Sequence, residues 1–363
     1  MSRRVRICLT LLLTAACAGC SIFGSDAKPR TTPVDAEASK ALDETGDLLV
    51  AGDNRVFSVN SKTNEAREVL QTEQPVSSLS YTGEHMAITV FQPSDPKASR
   101  GFYLRDSRSD SFTMYPTPGF SPKLSYIYGD LMFLASADKT AQKDGDYAKV
   151  GIYQLKEHKW VKEWMLPGGI EDITGRGKDL WLVTSNNSTT SSNLYKVDLE
   201  TGEWGKLIAE ARRYPLDQVE ADSGGDIYMM ISQRNKTEWS NKIYRWDPQQ
   251  EPYELAHHFV SNTRPYSYGM LALNGKMLIA RFDATGAHPD IEKPLSVLDL
   301  KTRKQTHLAW DHRPVALDKS RDEFVALGED GAVAFVKPGE ADKPDRELQV
   351  PGLRAAKCLA VKR

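Results

Sequence analysis

Seven times along the chain a hydrophobic strand is followed at once by a second strand, and this recurrence restricts the chain to very few architectures. The first strands are DLLVA (47–51), HMAITV (85–90), LMFLAS (131–136), DLWLVT (179–184), DIYMMI (226–231), KMLIAR (276–281) and EFVALG (323–328). Their partners close at Asn60, Asp106, Lys156, Asp198, Asp247, Asp299 and Lys337, spaced by 46, 50, 42, 49, 52 and 38 residues. A period in the forties, built from strands without helices, is that of propeller blades.

A blade needs four antiparallel strands, A to D from axis to rim. The D strands follow each pair: EAREVL, SFTMY, KWVKEWML, EWGKLI, PYELAHHF, KQTHLAW and RELQV. The A strands precede it: VSSLSY (76–81), KLSYIY (123–128), IEDIT (170–174), DQVEAD (217–222), YGMLAL (268–273) and RPVALD (313–318). That leaves the first blade without an A strand, and the tail AAKCLAVK (355–362) has the missing pattern. The expectation is an all-β, seven-bladed propeller over 47–363, closed by the C-terminal strand joining the first blade. Closure in this way removes the exposed edges of an open array.

In such a meander the B–C and D–A connections emerge on one face. The B–C segments of blades two to six are long (91–100, 136–149, 185–192, 232–240 and 282–293), whereas blades one and seven have only GDNR and GED. Long connections of this kind are where function concentrates. The D–A connections on the same face carry Arg212, Arg213 and Tyr214, then Arg264, Tyr266 and Tyr268, then His312 and Arg313. Tyr115 and Phe120 decorate an earlier one. Guanidinium forks pair with carboxylate or phosphate, and aromatic faces stack on sugars or peptide side chains. These eight basic and aromatic residues are the candidate ligand-binding set, against the alternative that they merely cap strand ends.

The front of the chain is a different kind of sequence. Arg3, Arg4 and Arg6 precede an apolar stretch, ICLTLLLTAA (7–16), too short to span a bilayer comfortably, and small residues lead to Cys20. Residues 1–19 are read as an export signal. Residues 21–46 are polar and contain Pro without periodicity, as in a flexible tether. The CAGCS segment resembles the lipobox of bacterial lipoproteins, with Ala18, Gly19 and Cys20 matching and Cys17 standing where Leu is usual; Cys17 is the competing site. That resemblance implies an acylated Cys20, membrane attachment without a transmembrane helix, and a cell-envelope location facing the periplasm or the exterior. Only Cys358 then remains as a thiol, so no disulfide framework exists. Forty-seven basic against 49 acidic residues argue against a nucleic-acid partner.

Searches for chemistry return little. His257 and His258 are adjacent on a strand and point to opposite faces, and no other histidines are ligand-spaced. Asp138, Asp144 and Asp146 lack a full calcium-loop pattern. No metal or cofactor is expected, and no catalytic residue is assigned. Leader, tether and repeats together resemble the broad group of bacterial extracytoplasmic propeller lipoproteins. AGCSIF is similar to the leader of the propeller lipoprotein of the outer-membrane β-barrel assembly machinery, but the recurring Asp-Gly and Trp pattern and eight blades of that protein are not found here. The leading expectation is a binding or scaffold module for an envelope protein, peptide or glycan. The alternative is a propeller hydrolase or lyase acting on a glycan or peptide at the channel mouth.

Overall fold

The computed structural model describes residues 28–92, 100–142, 145–186, 191–208, 216–235, 238–246, 253–261, 267–282, 294–339 and 342–363. Numbered in chain order, β1 (Arg30–Pro33) precedes the first blade and lies outside the four-strand pattern. Blade one contains β2 (Leu48–Gly52), β3 (Arg55–Asn60) and β4 (Glu65–Gln71). Blade two runs β5 (Val76–Tyr81), β6 (His85–Val90), β7 (Gly101–Asp106), β8 (Ser111–Pro116). Blade three runs β9 (Pro122–Tyr128), β10 (Leu131–Gln142), β11 (Gly145–Gln154), β12 (Lys159–Pro167). Blade four runs β13 (Gly169–Arg176), β14 (Asp179–Asn186), β15 (Ser191–Asp198), β16 (Trp204–Ile208). Blade five runs β17 (Leu216–Ala221), β18 (Ile227–Asn235), β19 (Glu238–Trp246), β20 (Tyr253–Ser261). Blade six runs β21 (Ser267–Leu273), β22 (Lys276–Phe282), β23 (Leu295–Asp299), β24 (Gln305–His307). Blade seven runs β25 (Pro314–Lys319), β26 (Phe324–Gly328), β27 (Ala332–Val336), β28 (Arg346–Gln349).

The last strand, β29 (Ala356–Val361), pairs antiparallel with β2, Leu48 opposite Val361 and Ala51 opposite Cys358. Blade one therefore has the order β29-β2-β3-β4, and seven four-stranded antiparallel sheets close into a seven-bladed propeller. The B and C strands are covered by neighbouring blades on both faces, which is why β2, β6, β26 and β27 are buried at every residue and read as unbroken hydrophobic runs. One such inter-blade core joins Val50 and Phe57 of blade one to Val325, Leu327 and Phe335 of blade seven. The outer strands have one free side, and β4 accordingly mixes exposed and half-buried positions.

Short C–D reversals follow where the second strand of each repeat ends in Asn or Asp. Asn60 Oδ1 accepts from the N–H groups of Lys62 and Thr63, Asp198 Oδ1 from Glu200 and Thr201, and Asp299 Oδ1 from Lys301 and Thr302. A short polar side chain that folds back on its own turn is the reason these residue types recur there.

The segment read from sequence as tether differs. From Arg30 onward it is structured: β1 adds a fifth strand to blade two, and α1 (Ala36–Lys40) plus a π-helical turn (Ala41–Thr45) lead to blade one. Asp35 caps α1 by accepting from Ala38 N at 2.8 Å. Leu42 and Ala38 are buried with Tyr81, Phe112 and Met114, so the segment's few apolar residues serve as plugs between blades one and two. Two buried side chains make this fit: the Arg105 guanidinium forks onto Asp43 at 2.7 and 2.9 Å, and Tyr81 Oη donates to Leu42 O at 2.7 Å. A low apolar content hid a segment whose order comes from partners elsewhere in the chain.

Candidate functional site

On the face where B–C and D–A connections emerge, the long segments of blades three and five are not loops. β10 leaves its A-strand neighbour at the Ser136–Pro122 pair, yet stays paired with β11 as far as Gln142 opposite Gly145. β18 likewise leaves β17 at Ile231 and continues against β19 to Asn235 opposite Glu238. Six residues past Ser136 make an arm of about 20 Å, and four past Ile231 one of about 13 Å. In blade three the two strands satisfy each other's backbone groups beyond the A strand, with Gly168 N donating to Asp146 O, and in blade five β20 runs alongside as far as Ser261 opposite Trp239, so that extension is three-stranded. Blade four, between them, has the shorter extension ending at Asn186 opposite Ser191. The B–C segments over 93–99, 187–190 and 283–293 lie outside the described residues.

Of the eight candidate ligand residues, His312 and Arg313 are described with their side chains. Both are engaged within blade seven: His312 Nδ1 lies 2.7 Å from Asp330 and Arg313 donates to Glu329 at 2.9 Å. His312 also packs on the Trp310 ring, with centroids 5.2 Å apart. Tyr268 is placed by its backbone in β21, opposite Arg281. Arg212, Arg213, Tyr214, Arg264 and Tyr266 lie outside the described residues, as do residues 1–27 with Cys17 and Cys20. Phe120 is fully buried against Trp160, so it is core rather than decoration. Tyr115 stacks on Phe102 and donates to or accepts from His158 at 2.9 Å. Asp138 is held by Arg100 at 3.2 Å and by Ser121 Oγ at 2.9 Å. Cys358 is buried with its thiol pushed up to about 12 by burial, as expected of a small core residue.

Sequence reasoning missed the lining of the axial channel. The seven A strands line the axis without backbone pairing between them, and side chains bridge the seams instead. Ser78 and Ser80 of blade two meet Ser125 of blade three at 2.9 and 2.8 Å. Lys123 Nζ donates to Ile170 O of blade four at 2.7 Å. Asp172 accepts from Val219 N at 3.0 Å, and Thr174 from Ala221 N at 3.3 Å. Glu220 accepts from Ala272 N at 3.1 Å and pairs with Lys319, whose ammonium also reaches Ala272 O at 2.9 Å. Asp318 accepts from Val361 N at 2.8 Å and from Arg363 at 2.8 Å, joining blade seven to blade one. Most of these bridges reach about one repeat onward, and Lys319 to Glu220 spans two, so polar residues recurring within the A strands were the available signal.

These bridges surround an axial cavity of about 320 Å³, open to solvent and lined by Asp172, Thr174, Gln218, Glu220, Asp318 and Arg363, among others. Its lining falls in the later half of each A strand, so it sits toward the A–B hairpins, at the end of the axis opposite the D–A rim. Glu220 and Asp318 each have a cation in contact. Asp172 has none in contact, and enclosure by protein pushes its carboxyl up to about 7 despite hydrogen bonds from backbone N–H groups. No trio of side chains suited to hold a metal ion occurs among the described residues. A second hollow between blades four and five is bounded by Trp181 and Trp246, and its charges are paired internally: Lys196 with Asp179 at 2.9 Å and Arg245 with Asp226 at 2.7 Å.

The chain matches no protein-family description and no curated protein. It is similar in shape to several solved structures. One is an acylaminoacyl peptidase in complex with Z-Gly-Gly-Phe-chloromethyl ketone (12% identity, 86% of this chain and 53% of that one, TM-score 0.55). Another is a chain of the mitotic checkpoint complex (11% identity, 79% and 83%, TM-score 0.54). A third is Kuenenia stuttgartiensis hydrazine synthase (10% identity, 74% and 78%, TM-score 0.50). This chain spans about half the length of the peptidase it resembles. At these identities the likeness is one of fold alone.

Proposed function

We propose that this protein is a lipid-anchored binding or scaffold module of the cell envelope, acylated at Cys20 and engaging an envelope protein, peptide or glycan through its loop-rich face. The observation that carries the reading is the extension of blades three and five beyond their A strands, as a two-stranded arm and a three-stranded one, both on the same face of a rigid ring. Arms of this kind add surface without adding core, and binding residues concentrate on such projections from a rigid scaffold. The fold is one that serves as a recognition platform, and the channel carboxylates at Glu220 and Asp318 are occupied in joining blades. Arg212, Arg213, Tyr214, Arg264, Tyr266 and Tyr268 are proposed as ligand contacts between the arms and the axis.

The test is to replace residues 139–146 by a two-residue turn, keeping Asp138 and the buried Ala148, and to purify the tagged protein from membranes. The variant should keep the cooperative melt of the ring and lose the proteins that co-purify with the parent. Retention of every partner would sink the reading.

One observation supports the second reading, a propeller enzyme. Asp172 lines the open axial cavity with its carboxyl pushed up to about 7 by desolvation, where a general acid or base operates. Glycan or peptide release from envelope extracts by the parent, abolished in Asp172→Asn, would transfer the function to the channel.

A further inference from the structure

The direction of β1 determines where the N-terminal segment leaves the domain. β8 runs from the C–D turn at 107–110 to the D–A connection at 117–121, and β1 runs against it, Arg30 opposite Met114 and Pro33 opposite Ser111. Arg30 therefore stands toward the loop-rich end of blade two. Pro33 stands at the other end, where Val34 N donates to Asp110 O at 2.7 Å and α1 begins. The exit is fastened on both sides. The Arg30 guanidinium forks onto Glu73 of the blade-one D–A connection at 2.7 and 2.9 Å, and the buried Arg105–Asp43 pair holds the helical turn beyond.

We propose that the loop-rich face is the membrane-side face of the protein, and that its partner is the extracytoplasmic portion of a protein embedded in the same membrane. This rests on the acylation of Cys20 proposed above. Nine residues separate Cys20 from Arg30, and the ten steps of chain between them can span at most about 36 Å. The six residues of β8 rise about 20 Å. Turning the opposite face to the bilayer would require the chain to run back along the whole height of the blade, using more than half of that reach before meeting lipid. Turning the arms to the bilayer requires no detour.

Charge selects a protein over the lipid surface as the partner. Anionic headgroups attract clusters of uncompensated Lys and Arg. Among the described residues of this face, Arg30 is paired with Glu73, Arg100 with Asp138, Arg313 with Glu329 and His312 with Asp330, and the exposed Arg354 stands singly rather than in a cluster. The mouth of the channel cavity, with Asp318 and Arg363, then faces away from the membrane.

The experiment places one fluorophore at each end of the same outer strand, in the full lipidated protein on vesicles carrying a headgroup-attached quencher. Gln71→Cys, exposed at the end of β4, reports the loop-rich face. Lys62→Cys, exposed in the preceding C–D turn, reports the other. The buried Cys358 stays unlabelled. The inference expects at least twofold stronger quenching at 71 than at 62, lost when detergent dissolves the vesicles. Equal or reversed quenching in vesicle-bound protein overturns the orientation while leaving the anchor in place. Failure of the parent to stay on vesicles better than Cys20→Ser overturns the anchor and the orientation with it. A photo-crosslinker at Gln71 that captured in the cell only proteins shed by an alkaline wash would overturn the integral-membrane partner.

Discussion

Asp172 is the residue whose environment departs furthest from what its type prefers. Its carboxylate stitches blade four to blade five by accepting from Val219 N, and no cation touches it. Burial raises its pKa from 3.8 to about 7, so the folded state holds the proton more tightly than the unfolded chain does. Stability contributed by the protonated form is present below about pH 4 and is lost as pH rises toward 7. Three pH units correspond to a ceiling of about 4 kcal/mol. Water in the channel screens the charge and lowers the expected figure to about 1–2 kcal/mol. Asp172→Asn keeps an acceptor for Val219 N and removes the charge. It should raise Tm at pH 7.5 by roughly 2–5 °C and flatten the dependence between pH 5 and 7.5; parallel melting curves of parent and variant across that range would refute this account. Close packing is just as local at Gly175. A Cβ there would lie 2.2 Å from the Tyr126 ring, whose hydroxyl donates to Gly177 O at 3.0 Å across the blade three to four seam. Gly175→Ala should cost about 1–3 kcal/mol by denaturant titration.

Two elements at opposite ends of the chain meet around blade one, and each has a separable task. β29 supplies the innermost strand, and Lys362 N donates to Asp47 O while Arg363 N donates to Tyr81 O, so the tail is tied to blades one and two. Removing residues 355–363 leaves β2 with an open edge, and the truncated chain should lose its cooperative melt or aggregate. A synthetic 355–363 peptide should restore the transition; a truncation that melts like the parent would show closure to be dispensable. The segment 30–45 acts as a strap. Leu42→Ala should cost about 2–4 kcal/mol by emptying its buried socket. Arg105→Met should cost about 3 kcal/mol by leaving Asp43 without its partner. Both should expose the strap to protease well before the ring unfolds, a readout available from timed digestion.

At the scale of the whole molecule, the ring separates two working ends. The extended strands of blades three and five and the proposed rim occupy the face from which the N-terminal segment departs, and the channel cavity lies toward the other. Replacing residues 139–146 leaves Asp138 with its Arg100 and Ser121 partners and the core residue Ala148 in place, so the partner-loss experiment addresses recognition separately from folding. The channel variants address the ring separately from recognition.

Strand count, blade order and closure were legible because a B or C strand covered on both faces must be continuously apolar, and that pattern survives in a single sequence at every repeat. The A strands were legible within a residue or so, from VSSLSY at 76–81 to the tail. The strap was not, because its order depends on Arg105 and Tyr81, sixty and forty residues away. Nor was the channel lining. A polar residue such as Glu220 looks solvent-facing in isolation, and only the neighbouring blade's backbone shows that it closes a seam.

The amino-acid sequence alone determined that this chain makes seven similar sheets and that its last strand belongs with its first. Local apolar periodicity is sufficient for both. Tertiary structure decided which polar side chains face the axis, which of the long B–C segments continue as paired strands, and from which face the N-terminal segment departs. Those properties depend on strand direction and on contacts between blades about one repeat apart, and local pattern carries no record of either.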